Sequence, residues 1–202
     1  MENTIEDLVG STFYKKKGHN DKDRESLFNV EDCGTEEVKA ASFLGLLFSA
    51  NWCPPCKNFL SILKEFYSEV NIDKKKCEIL YVPTDKHEND YKEHYAHMPW
   101  LSIPFGDVRI QKLLQKYKVT GVPVLIIVDS QSGFLVTVRG RKDIHEQGIN
   151  CVNDWVKLLQ LNREKEIQRL EEEALAEIAR QKLQQQHLLE QANPVVGANL
   201  NV

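Results

Sequence analysis

The sequence predicts an α/β fold: a central mixed β-sheet flanked by helices, followed by a long C-terminal helical extension. Three observations carry this. Apolar runs of strand length alternate with segments of helical period across the middle of the chain, the order that builds parallel strand pairs in a layered sheet. Two of the runs, 123–129 and 133–140, are joined by only "SQS" with Gly133 behind it, which reads as a hairpin and makes the sheet mixed. Finally, residues 162–191 contain neither Gly nor Pro and are rich in Ala, Glu, Gln, Leu, Lys and Arg, a strongly helix-forming composition.

The elements follow in order after a strand-rich start. "SFLGLLFS", 42–49, is a short apolar run and reads as a buried central strand. In "PPCKNFLSILKEFYSEV", Phe59, Leu60, Leu63, Phe66, Tyr67 and Val70 recur every three or four residues, the stripe of an amphipathic helix. "CEILYVPT", 77–84, is a second buried strand, "HENDYKEHYAH" a polar helix, and "DVRIQKLLQKYKV" a helix ending near Thr120. The closing hairpin gives the order β-α-β-α-β-β-α. The predicted organisation is one domain over 1–161, a helical extension over 162–191 and a flexible tail over 192–202, where Pro194 and Gly197 interrupt any helix.

Composition excludes several classes of function. The chain has 202 residues, 42% of them hydrophobic, and a net charge of −4, enough for one well-cored domain with an appendage. Lys and Arg are scattered, and "YKKKGHNDK" and "DKKKC" are short runs diluted by acids, so no nucleic-acid surface is predicted. No segment reaches the ~18 apolar residues of a membrane span. The start, "MENTIEDLVG", is acidic where a secretory signal needs basic residues. A soluble cytoplasmic protein is expected. Five cysteines with a single close pair do not make a secreted disulfide framework.

That close pair carries the chemistry. In "FSANWCPPCKNFL", Cys53 stands where the strand 42–49 hands over to the helix, the natural N-cap, with Pro54 at the first helical position. Neither Pro54 nor Pro55 has an N–H, so the nearest in-helix donor to the Cys53 sulfur is the amide of Cys56. The helix dipole and this hydrogen bond both favour a thiolate, which makes Cys53 the nucleophile. Cys56, one turn along and within disulfide reach, can resolve a mixed disulfide by intramolecular attack. A zinc site would need two more ligands, and His94 and His97 in "HYAHM" are the candidates. However, the prolines remove the amides that support zinc thiolates, and no second CxxC exists. Inert packing of two buried cysteines is disfavoured by Trp52 and the prolines, which read as a stiff, exposed turn. No metal and no cofactor is expected.

Together, "WCPPC" after an apolar strand, "MPWLSIPF" at 98–105 and "VTGVPVLIIVD" at 119–129 resemble the tryparedoxin and nucleoredoxin branch of the thioredoxin superfamily, over roughly residues 5–160. The resemblance implies a thioredoxin fold, a solvent-exposed nucleophilic Cys53, a resolving Cys56, and a Trp52 that shields and orients the disulfide. It also implies a cis peptide bond before Pro123, which helps keep metals off the thiols. The backbone of Val122 then lies opposite the cysteines and pairs with an extended client segment. Trp100 resembles the family's tryptophan near the site; an ordinary packed aromatic is the other reading.

The chain also departs from that pattern. Thioredoxins carry a buried carboxylate five residues before the active-site tryptophan, and tryparedoxins often an aromatic; here Leu47 stands there, and no proton acceptor for Cys56 comes from that position. Lys57 reads as a solvated lysine, and the isolated Cys33, Cys77 and Cys151 as structural. The extension bears an incomplete apolar stripe of Ile167, Leu170, Ala174, Leu175, Ile178 and Leu183, open to a coiled coil or partner-binding arm, a docked helix or disorder.

The function expected is a thiol-disulfide oxidoreductase that reduces protein disulfides, with peroxidase-like proteins among its clients. Its upstream reductant is glutathione, a thioredoxin-system donor or a trypanothione-like thiol; no polyamine-thiol site is legible. The alternative is a redox-competent scaffold whose head docks a client while residues 162–191 anchor it, through a partner or a second copy.

Overall fold

The structure is a computed structural model and describes residues 4–17 and 29–192, with side chains through 189. The tail expected over 192–202 lies, beyond Ala192, outside the described residues. The elements are α1 (Ile5–Val9), β1 (Thr12–Lys16), β2 (Val30–Gly34), α2 (Glu36–Lys39), β3 (Phe43–Ser49), α3 (Pro54–Val70), β4 (Cys77–Pro83), α4 (Glu88–Ala96), β5 (Leu101–Ser102), α5 (Val108–Lys116), β6 (Val124–Asp129), β7 (Leu135–Thr137), α6 (Gly140–Gln147) and α7 (Cys151–Ala192).

One seven-stranded sheet runs β2-β1-β5-β4-β3-β6-β7. The β3–β4 and β4–β5 pairs are parallel, and the pairs of β1 with β2 and β5, and of β6 with β3 and β7, are antiparallel. The sheet is therefore mixed, as the hairpin signature requires. β3 and β4 are buried along their whole length because helices cover both faces.

Alternation along the strands divides the core in two. Phe43, Leu47, Ile79, Tyr81, Leu125 and Ile127 face a layer formed by α3, α4, α6 and the first turns of α7. Their neighbours Leu44, Leu46, Phe48, Leu80, Val82, Ile126 and Val128 face α1 and α5. Helix α3 buries Phe59, Leu60, Leu63, Phe66 and Val70 on the first face, each worth about 1.5–3 kcal/mol of burial. Trp155, in the second turn of α7, is fully buried. It meets Phe43 and Phe66 edge-on at 5.8 Å, and its Nε1 donates to Asp143 at 3.2 Å.

The hairpin is shorter than the apolar run suggests. The run 133–140 supplies only Leu135–Thr137 as β7, because Gly140 opens α6 instead of ending the strand. A Cβ on Gly140 would lie 2.9 Å from the Leu125 carbonyl oxygen and from Ile127 side-chain atoms, so only glycine lets α6 approach β6 this closely. The polar helix is capped by the two histidines that bracket it, His87 and His97.

Helix α7 is continuous from Cys151 through the position where the composition changes. The chain divides into two compact units after Leu159, inside that helix. No helix among the described residues is long and apolar enough to cross a membrane.

Candidate active site

The site forms where β3 gives way to α3. Cys53 is the N-cap of α3, with extended backbone angles (φ −101°, ψ 105°) and prolines at the first two helical positions. Its sulfur accepts the Cys56 amide at 3.3 Å, and its thiol points to the Val122 carbonyl oxygen at 3.6 Å. The Val122–Pro123 bond is cis and lies just before the start of β6. Ala50, Cys53 and Cys56 form a small apolar cluster closed by Val122.

The resemblance implied a solvent-exposed Cys53; in the structure this residue is only 4% exposed and Cys56 1%. The Cys53 sulfur is turned inward to Val122 and to the Cys56 amide. The exposed rim is made by Trp52, at 57%, and by Pro54 and Pro55. Trp100 stands apart from this cluster: it is fully buried, edge-on to Tyr67 at 5.5 Å, with its carbonyl accepting from the Tyr95 hydroxyl at 2.9 Å. The packed-aromatic reading describes its position, and its Nε1 has no hydrogen-bond partner among the described residues.

The two cysteines sit in unequal surroundings. Burial, followed by hydrogen bonding to Cys53, pushes the Cys56 thiol up to about 11, while the Ser49 hydroxyl and the Ala50 backbone act in the opposite direction. Ser49 is itself buried, and its Oγ lies 2.9 Å from His94 Nε2. Burial first, and then the charges of Lys57 and His97, push His94 down to about 4, so its imidazole is neutral at physiological pH. The ring of His94 stands edge-on to Tyr81 at 5.6 Å. The Tyr81 hydroxyl donates to Asp85 at 2.5 Å, and Asp85 also accepts the Asn51 amide at 2.7 Å. Burial raises the Asp85 carboxyl above its ordinary range.

Sequence reading brought out His94 only as a zinc candidate beside His97. The two are not a ligand pair here, since His94 is buried against Ser49 while His97 is exposed at the C-cap of α4. Among the described residues, no group of three or more His, Cys, Asp or Glu is placed to hold a metal. Ser49, Tyr81 and Asp85 were missed. A polar residue ending an otherwise apolar strand, four positions before the first cysteine, was the available signal. Cys33 and Cys151 are pushed up to about 11 and about 12 by burial, and Cys77 is raised further. Beside the cis bond, Pro123, Val138, Arg141, Lys142 and His145 line a groove of about 430 Å³.

A Thioredoxin-like family model matches residues 42–135. Tryparedoxin of Trypanosoma brucei brucei is 34% identical over 124 residues, 59% of this chain and 85% of that protein. Nucleoredoxin of Danio rerio is 38% identical over 104 residues, 51% of this chain but 25% of that protein; the chain thus spans about a quarter of the nucleoredoxin it matches. A solved structure of tryparedoxin II complexed with glutathionylspermidine superposes with a TM-score of 0.56 at 29% identity, covering 68% of this chain and 87% of that one. The fold is the thioredoxin fold, and the chain belongs to the tryparedoxin and nucleoredoxin-like branch of the thioredoxin family, a family of thiol-disulfide oxidoreductases.

Proposed function

We propose that this protein reduces protein disulfides through its WCPPC dithiol. Cys53 attacks one sulfur of a client disulfide, forming a mixed disulfide and releasing the other client sulfur as a thiolate. Cys56 then attacks the Cys53 sulfur, the Cys53–client bond breaks, and the second client sulfur departs. The client gains two electrons and the protein ends as the Cys53–Cys56 disulfide. The observation that carries this reading is the Cys56 amide on the Cys53 sulfur at the start of α3, since a donor aimed at a sulfur at a helix N-terminus favours its anionic form.

The supporting residues follow from their positions. Pro54 and Pro55 leave the Cys56 amide as the nearest in-helix donor, exposed Trp52 forms the rim against which a client disulfide rests, and Val122 with Pro123 offers backbone for an extended client segment. Trp100 serves the core beneath α3. Peroxidase-like proteins are among the clients we propose. The upstream donor is a small thiol, glutathione or a trypanothione-like compound, or a thioredoxin-system protein. The bound glutathionylspermidine of tryparedoxin II supports the small-thiol option. A reducing compartment, the cytoplasm, keeps the dithiol ready.

A second reading, a redox-competent scaffold, is favoured by one observation: in α7 beyond residue 160, Ile167, Leu170, Leu175, Ile178 and Leu183 are all about half exposed or more. Insulin reduction with dithiothreitol as donor discriminates between the two. The wild type accelerates precipitation of the insulin B chain and Cys53→Ser does not; a wild type no faster than dithiothreitol alone defeats the enzyme reading.

A further inference from the structure

We propose that Ser49 and His94 form a donor relay to Cys56, in which His94 holds the Ser49 hydroxyl so that its hydrogen points to the Cys56 sulfur as that sulfur ionises. Ser49 is then a catalytic residue of the resolving step and His94 a positioning residue behind it. The inference rests on the dithiol reading above and concerns its second step.

Position 47, which is Leu, offers no acceptor for the Cys56 proton, yet the resolving attack needs a thiolate. A thiol held at about 11 is ionised only to about one part in ten thousand at pH 7, so whatever stabilises the anion sets the rate. Ser49 lies on the same face of β3 as Leu47, two residues nearer the cysteines, and its hydroxyl opposes the rise in the Cys56 thiol. A hydroxyl has one hydrogen. With Nε2 protonated, neutral His94 donates to Ser49 Oγ across the 2.9 Å contact and leaves that hydrogen for the sulfur. Two donors in series polarise one another in a buried site, which strengthens the bond to the anion.

The groups around His94 keep it a donor and not a base. Lys57 and His97 oppose a charged imidazole, and so does burial. The nearby acids are engaged elsewhere: Asp85 accepts from Tyr81 and Asn51, and Glu93 accepts from Asn51. Tyr81 meets the ring only edge-on and gives its hydroxyl hydrogen to Asp85. The proton lost by Cys56 therefore goes to the client thiolate released by the first attack. The Cys56 anion, held by Ser49, attacks Cys53. The second client sulfur leaves as a thiolate and takes its proton from water.

Reaction of the reduced full-length protein with dithiobis-nitrobenzoate, followed by stopped flow, separates the two steps. Attack by Cys53 releases a first coloured thiolate at a rate proportional to reagent, and resolution by Cys56 releases a second at a rate independent of it. Ser49→Ala and His94→Phe should each lower the ratio of resolving to attack rate roughly ten- to a hundredfold, the worth of one hydrogen bond to a charged sulfur. They should also move the pH midpoint of the resolving phase upward. Ser49→Thr, which keeps the hydroxyl, and His94→Gln, whose amide can donate to Ser49, should restore both to within a few-fold. The relay is overturned if Ser49→Ala keeps the wild-type ratio and midpoint, if Ser49→Thr resolves no faster than Ser49→Ala, or if His94→Gln is as slow as His94→Phe. A wild type that releases only the first thiolate defeats the dithiol reading itself.

Discussion

The amide of Cys56 donates to the sulfur of Cys53 at 3.3 Å, while the Cys56 thiol is itself pushed up to about 11 by burial. Two cysteines three residues apart are thereby made chemically unequal. Brief iodoacetamide treatment at neutral pH, read by peptide mass, should modify Cys53 first. Cys56 should react only as the pH approaches its raised value, and Cys77 and Cys151, both buried, should stay unmodified in the native protein. Earlier labelling of Cys56 would reverse the assigned roles.

Interrupting the reaction between its two steps gives a second prediction. Cys56→Ser leaves Cys53 able to attack but removes the sulfur that releases the client, so mixed disulfides accumulate. Cys53→Ser accumulates none. Non-reducing gels of lysate captured on each variant show the difference, and equal trapping by both variants sinks the two-step scheme.

His94 gives a pH prediction with a definite sign. Its pKa falls from 6.5 to about 4 on folding, so the unfolded chain takes up a proton in that interval and the folded chain does not. Its stabilising contribution is therefore full above about 6.5 and is lost as pH falls toward 4, by on the order of 3 kcal/mol. Glu78 and Asp85, raised by burial, act in the opposite sense, so the comparison has to be made against a variant. The urea-midpoint advantage of wild type over His94→Gln should shrink between pH 7 and about pH 4.5. An advantage that stays constant across that range would show that the imidazole does not titrate on unfolding.

Part of this site was legible in the sequence because it is local. An apolar run ending four residues before Cys53, with proline behind it, leaves little choice of N-cap or of amide donor, and the structure has both. The partnership of Ser49 with His94 spans 45 residues of chain, and no local periodicity reports it. Strand β5 is two residues long, so neither length nor alternation marks it, and β1 and β2, half covered, are legible only as a strand-rich start without bounds. Trp100 is buried edge-on to Tyr67 of α3, with its carbonyl held by the Tyr95 hydroxyl of α4, which its own sequence neighbourhood does not record. The compositional break near 161 does not mark the end of an element; the helix is continuous through it.

The extension poses the remaining question. Along α7, Ile167, Leu170, Leu175, Ile178, Leu183, Leu188 and Leu189 are each about half exposed or more. The Arg169 pairs with Glu166 and Glu173 lie on the same stretch and, being exposed to water and salt, add little. Covering what remains exposed of one such Ile or Leu is worth roughly half of the ~1.5–3 kcal/mol of full burial, so a partner or a second copy that buries several of them gains more than the ion pairs supply. Both cysteines, Val122 and the Ser49–His94 contact belong to the unit that ends at Leu159, so the chemistry should not need the arm. Truncation after residue 161 should keep insulin reduction within a few-fold and abolish self-association or partner capture, measured by light scattering and pulldown on both lengths. If the full-length chain is monomeric, captures nothing through 162–191, and exchanges its amides there as fast as an unstructured peptide, the scaffold reading loses its support and the enzyme reading stands alone.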